Sequence, residues 1–257
     1  MANSSTLPIL MYHGVDALPS VVTLHPDRFR WQMEWLHRHG YSGISLGELV
    51  RCMIAGESFP ERSVVLTFDD GYQSLYTEAF PVLIQYGFSA TVFLVAGFCD
   101  KDNRWGSQPH NIPTMKLLTW EQIDEMARFG IEFGSHTVNH PYLDQLPPDA
   151  LHDEIVLPKM ILEDKLSRPV TVFAYPYGRY SKSAKDLVSS AYEAACSTRQ
   201  GLTHPNSDRY MLERVEISYL SHPWAFQSLF HSIFPYYLSI RKAGRALRSA
   251  AFQMAGK

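Results

Sequence analysis

Cysteine is scarce in this chain: Cys52, Cys99 and Cys196 are odd in number and far apart. None has the short spacing of a zinc finger or a redox pair, so all three read as free thiols in a reducing compartment. Long apolar runs are missing as well. No stretch of about 20 apolar residues occurs, so no membrane-spanning helix is expected. Residues 1–8 show neither a basic start nor a long apolar core, which predicts no secretory signal and a cytoplasmic protein. Strong net charge is also lacking: 23 Lys and Arg stand against 26 Asp and Glu, a formal charge of −3 that gives no reason to expect nucleic acid. There are no internal repeats and no low-complexity segment. One absence is local. After Glu216 there is no Asp or Glu, while Arg241, Lys242, Arg245, Arg248 and Lys257 all follow.

What is present is alternation. Short apolar runs that read as strands, at Leu7–Tyr12, Tyr41–Ser45, Val64–Leu66, Ala90–Val95, Ile131–Gly134, Val172–Ala174, 193–197 and Leu212–Ile217, alternate with segments of helical spacing. Asp27 reads as the N-cap of the first helix and Thr119 as the cap of a later one. Residues 73–86 read as one helix with Leu75, Phe80, Leu83 and Ile84 inward, and Pro158 predicts a kink in a helical region from Pro147 to Leu166. Strand–helix alternation over 257 residues predicts one parallel α/β domain, and barrels commonly have this size. Residues 96–118 read as a long polar loop around Trp105, which is a candidate stacking platform for a sugar ring, the alternative being a loop tryptophan that packs back onto the barrel.

Two stretches carry the chemistry. Thr67-Phe68-Asp69-Asp70-Gly71-Tyr72 leaves a buried strand with adjacent carboxylates, which repel unless something positive sits beside them. Helix capping is the plain alternative. Ser135-His136-Thr137-Val138-Asn139-His140 leaves another strand, and its histidines are spaced to reach one ion. Together they offer two nitrogens and one carboxylate oxygen, a catalytic metal set with positions open for water and substrate. Ser135 and Asn139 are candidates to orient the histidines.

A third stretch, Val172-Phe173-Ala174-Tyr175-Pro176-Tyr177-Gly178, turns sharply after a strand. With it the chain resembles the polysaccharide deacetylases, the NodB-like carbohydrate esterases of family four, over about residues 7–217. Their Thr-Phe-Asp-Asp-Gly motif matches at 67–71, their His-Ser/Thr-x-x-His motif at 136–140, and the end of their Arg-x-Pro-Tyr-Gly motif at 176–178. The resemblance implies a distorted (β/α)7 barrel of the NodB-like fold. It implies Asp70, His136 and His140 as metal ligands, Asp69 as the general base, and the backbone N–H of Tyr177 as an oxyanion donor in contact with substrate. The implied cofactor is a divalent metal ion, Zn2+ first, with Co2+, Ni2+ or Fe2+ able to take the same ligands. No other cofactor is expected.

Two family elements are displaced. Ala174 stands where the motif has arginine, and Arg214, at the end of the last strand, is the candidate to supply that charge to the base. The family's late Leu-x-His motif has only a weak match at Leu202-Thr203-His204. Amide hydrolysis needs an acid for the leaving amine, and His13, at the end of the first strand, is the candidate. Some family members carry a similar Tyr-His-x-Val stretch near the N-terminus, here Tyr12-His13-Gly14-Val15.

The expected activity is metal-dependent removal of the N-acetyl group from a sugar of a polysaccharide, oligosaccharide or lipid-linked glycan. A hydrolase of cyclic amides and a silent glycan-binding module on the same barrel are the alternatives. The expected domain plan is a flexible N-terminus at 1–6, the barrel at 7–217 and a basic, aromatic helical extension at 218–257. Trp224, Phe226, Phe230, Ile233, Tyr237 and Ile240 recur there at helical spacing, so the extension either packs on the barrel or on a partner, or lies peripherally on the inner face of the cytoplasmic membrane.

Overall fold

The computed structural model describes residues 6–231 and 233–240. The chain begins with β1 (Ile9–Tyr12), a small ladder of β2 (Gly14–Val15) and β3 (Thr23–Leu24), α1 (Pro26–Arg38), β4 (Ser42–Ile44), α2 (Leu46–Ala55) and β5 (Ser63–Phe68). A π-helical turn (Leu75–Ala79), α3 (Phe80–Tyr86), β6 (Thr91–Leu94), α4 (Trp120–Arg128) and β7 (Glu132–Ser135) follow. Then come α5 (Pro148–Ile155), α6 (Leu157–Leu166), β8 (Val172–Ala174), α7 (Lys182–Ala191), β9 (Ala194–Gln200), β10 (Leu212–Glu216) and α8 (Pro223–Ser228).

Seven parallel strands close on themselves in the order β1, β10, β9, β8, β7, β6, β5, with β5 pairing back to β1. The departure from a regular barrel lies at β5. It pairs with β1 along Val65–Phe68, and on its other side it divides: Ser63–Val65 pair with β4, Thr67–Phe68 with β6. β4 therefore stands outside the closed ring, a distinction that strand-like composition alone does not carry.

Period-two alternation sorts the strand residues into two layers. Ile9, Val65, Phe93, Val172, Ala194, Cys196 and Leu212 form one cluster, the barrel interior, while Leu10, Val64, Leu66 and Val92 join the larger cluster packed by the helices. Tyr12 stacks on Phe68 at 5.0 Å, and Phe29 of α1 meets both rings edge-on. Burial of each such ring contributes roughly 1.5–3 kcal/mol. The interior parity matters above the cluster: continued up the strands it turns Met11 and His13, Thr67 and Asp69, Arg214 and Glu216 toward the upper end of the barrel.

Several local expectations are corrected. The N-cap of α1 is His25, whose ring accepts from the N–H of Asp27, because Pro26 takes the first helical position. Residues 73–86 are not one α-helix. Pro81 has no N–H to donate to Thr77, and Phe80 bonds back to Leu75 instead. The extra residue in that turn rotates the following face, leaving Ile84 partly exposed. The chain breaks between α5 and α6 at Val156, just before Pro158.

The described part of the C-terminal extension packs on the barrel. Phe226 meets Trp31 and Trp35 of α1, Phe230 stacks on Trp35, and Phe234 and Leu238 of the helical stretch 234–240 are buried. Trp224 (57%), Ile233 (61%), Tyr236 (72%) and Ile240 (72%) face outward. The aromatic series thus divides between two faces. The five basic residues of the tail, and residues 1–5 of the expected flexible start at 1–6, lie outside the described residues.

Candidate active site

The site forms where β1, β5, β7 and β10 end on one face, the usual position for barrel chemistry. It lines a cavity of about 450 Å³ bounded by Met11, His13, Asp69, Asp70, His136, His140, Tyr177 and Glu216 among others.

Asp69 and Asp70 leave β5 in different directions. Asp69 keeps the interior parity, while Asp70 has φ +73 and Gly71 φ +75, turning the chain sharply off the strand. A Cβ on Gly71 would lie 2.7 Å from Leu94 Cδ2, in a backbone conformation that glycine adopts without strain. His136 follows β7, and the loop after it returns His140 with φ +54. Tyr177, after β8, has φ +58. Non-glycine residues in the left-handed region cluster at functional sites, where the surrounding structure holds them.

Asp70, His136 and His140 bring ligand atoms within 4.8 Å of one another, all buried. Asp70 Oδ1 lies 3.5 Å from His136 Nε2 and 3.3 Å from His140 Nε2, and the two Nε2 atoms are 3.1 Å apart. His136 Nδ1 donates to the carbonyl of Ala174 at 2.8 Å, which turns the Nε2 lone pair toward the cluster. Burial, then the neighbouring His140, push His136 down to about 4, so its imidazole is neutral at neutral pH. Burial would raise the Asp70 carboxyl, but the facing His140 outweighs it and holds it far below its ordinary value. Asp70 Oδ1 is buried without a hydrogen-bond donor. Two imidazole nitrogens converging with an orphaned carboxylate oxygen are the donor set a divalent cation requires, and the residues fit one.

Arg214 lies beside this cluster, fully buried. Its Nη1 and Nη2 donate to Oδ1 and Oδ2 of Asp69, each at 2.7 Å, its Nε donates to the carbonyl of Ser197, and Nη1 also reaches Thr67 Oγ1 at 3.2 Å. Burial would raise Asp69, but the guanidinium outweighs it and keeps the carboxyl below its usual range. The structure therefore sets a buried arginine from β10 on the carboxylate. His13 is partly buried on the cavity wall, next to Glu216, which is raised by burial and drawn back by His13. The β1–β10 register, Met11 opposite Glu216, brings these two together. His204 is exposed on a turn beside the N-terminal end of β1, where Thr203 bridges Leu7, and does not line the cavity.

Trp105 lines the cavity but packs back onto the barrel, the second of its two readings. It is 3% exposed, with its ring 4.5 Å from that of His140, Phe98 meeting it edge-on and its Nε1 donating to Tyr177 Oη. Both ring neighbours are protein, so it backs a metal-ligand candidate instead of offering an open face to a sugar. The reason is the loop: Asn103 ties it to Met115 and Pro113, folding the indole inward. Asn139 likewise turns its side chain to Glu154, away from the imidazoles. Glu154 itself belongs to no motif. The available signal was a carboxylate on the apolar face of α5, between the buried Leu151 and Ile155.

Comparison with known proteins agrees with this geometry. Residues 56–194 match the family described as Polysaccharide deacetylase. The chain is 32% identical over 213 residues to the YxkH protein of Bacillus subtilis, assigned by name to the polysaccharide deacetylases, covering 82% of this chain and 71% of that one. It is 30% identical over 203 residues to the poly-beta-1,6-N-acetyl-D-glucosamine N-deacetylase of Staphylococcus epidermidis, covering 75% of this chain and 67% of the relative. Among solved structures, the Streptococcus pyogenes deacetylase PplD in complex with acetate superposes with a TM-score of 0.73 at 30% identity, covering 82% of this chain and 92% of that one.

Proposed function

Because the chain belongs to the polysaccharide deacetylase family, we propose that it hydrolyses the N-acetyl group from a sugar of an N-acetylated glycan. The observation that carries this reading is the pairing, in one cavity, of the Asp70–His136–His140 cluster with an arginine-bound Asp69. A divalent cation, zinc by the donor set, supplies a Lewis acid there when bound, acidifying water and polarising the acetyl carbonyl. Asp69 takes the proton from the attacking water. Arg214 uses one lone pair on each Asp69 oxygen, leaving others to accept, and keeps the base ionised. The backbone N–H of Tyr177 stabilises the developing oxyanion. His13 gives a proton to the nitrogen as the C–N bond breaks, so the products are acetate and a free amine.

The finer reading concerns the carrier. A second cavity of about 350 Å³ adjoins the first, sharing His13, Val21, Val22 and Glu216, and reaches Ser221 just before α8. The outward stripe Ile233, Tyr236 and Ile240 runs toward the acid-free tail. Unpaired Cys52, Cys99 and Cys196 suit a cytoplasmic protein. These features support a lipid-linked glycan met at the inner face of the cytoplasmic membrane, through peripheral contact by 218–257. Metal analysis coupled to acetate release, on a panel of N-acetylated oligosaccharides and lipid-linked sugars, tests both levels. Release from none of them by metal-loaded protein would sink the deacetylase reading.

A further inference from the structure

The two histidine ligands sit on a loop whose backbone is unfavourable by itself. Thr137 and His140 have φ of +71 and +54, each costing on the order of 1–3 kcal/mol unless the surroundings hold it. One side of the loop is tied to the segment after β6: Ala96 N–H donates to Thr137 O at 2.9 Å and Gly97 N–H to Val138 O at 3.0 Å. A Cβ on Gly97 would lie 2.6 Å from that oxygen, so the approach is close. Thr137 Oγ1 also accepts from the N–H of His140 at 2.9 Å.

The other side is held by one carboxylate. Glu154 Oε2 accepts from the N–H groups of Val138 and Asn139 at 3.0 and 2.9 Å, and Oε1 accepts from Asn139 Nδ2 at 2.6 Å. Glu154 is buried on α5, where an ionised group needs such donors. Three charge-assisted bonds from one helix thus close around Val138 and Asn139, two of the three residues between the histidines.

We propose that Glu154 is a positioning residue of the metal site, presetting the loop so that the Nε2 atoms of His136 and His140 converge before any ion arrives. The inference rests on the Asp70–His136–His140 set holding a divalent cation and is independent of which substrate is hydrolysed. Without Glu154 two buried N–H groups lose their acceptor, the loop relaxes toward commoner backbone angles, and cation binding must then supply the ordering. Partners that orient metal ligands typically contribute about 10–100-fold in metal affinity.

The test is a zinc titration of the full-length apo-protein against a chromophoric chelator, with folding followed by circular dichroism. Glu154→Ala should bind zinc about 10–100-fold more weakly. Glu154→Gln, which keeps one acceptor oxygen, should recover part of that loss, and Asn139→Ala, which removes only the Oε1 bond, should lose less than Glu154→Ala. Leu151→Ala, a neighbouring buried change that leaves these bonds in place, should keep its zinc affinity. Wild-type affinity in folded Glu154→Ala overturns the proposal, as does an equal loss in Leu151→Ala. If Glu154→Ala does not fold, wild-type affinity in both Glu154→Gln and Asn139→Ala overturns it.

Discussion

Arg214 grips both carboxylate oxygens of Asp69 at 2.7 Å, across 145 residues of sequence. The pair joins β5 to β10 through the top of the barrel interior. Removing the arginine should leave a buried carboxylate uncompensated, so Arg214→Ala should lose about 3–5 kcal/mol of stability at neutral pH. The sign with pH follows from the lowered Asp69. The stability contributed by the pair is present above the ordinary carboxylate pKa and disappears as pH falls through the folded value. The gap between wild type and variant in urea unfolding should therefore narrow toward acid pH. Introducing Ala174→Arg into the Arg214→Ala background should restore part of the activity, because Ala174 lies where the family motif places its arginine. A gap that widens in acid would contradict the pairing.

Roles within the carboxylate pair separate by substitution. Asp70→Ala, His136→Ala and His140→Ala should each lose bound metal and activity together. Asp69→Asn should keep the metal and lose turnover by about 10²–10⁴-fold, the usual contribution of a positioned base. Metal content by plasma emission spectrometry, measured beside acetate release, decides it. Metal lost from Asp69→Asn but kept in Asp70→Asn would reverse the assignment.

Leaving-group chemistry isolates His13. An amine needs a proton as it departs, whereas an aryl oxide needs little help. His13→Ala should keep its fold and metal, lose most of its kcat on an N-acetylated sugar, and lose much less on an aryl acetate ester. Equal losses on both substrates would point to a structural role for His13.

The C-terminal face can be read with vesicles. Full-length protein should float with liposomes containing anionic lipid, less so at high salt, and poorly with zwitterionic liposomes. The triple variant Ile233→Ser, Tyr236→Ser, Ile240→Ser, and separately removal of 241–257, should each reduce flotation. Equal flotation of all forms, or concentration-dependent dimerisation that the triple variant abolishes, would remove the membrane reading.

The sequence by itself determined the parallel α/β class and the metal-ligand candidates. Both are local: apolar runs of strand length repeat between helical spacings, and Asp70, His136 and His140 sit in short motifs directly after β5 and β7. The tertiary structure decided what depends on closure. That β4 stays outside the ring follows from β5 dividing its edge between two partners, which no single segment encodes. Arg214 meets Asp69 only because β10 and β5 both flank β1 and their inward parities coincide. Glu154 looks like an ordinary helical glutamate until α5 is packed against the histidine loop, and Trp105 looks like an exposed loop aromatic until Asn103 folds its loop down on His140. Periodicity and motif spacing are properties of neighbours along the chain. A buried ion pair, a clamp or a covered ring is a property of neighbours in space, fixed only when the barrel closes.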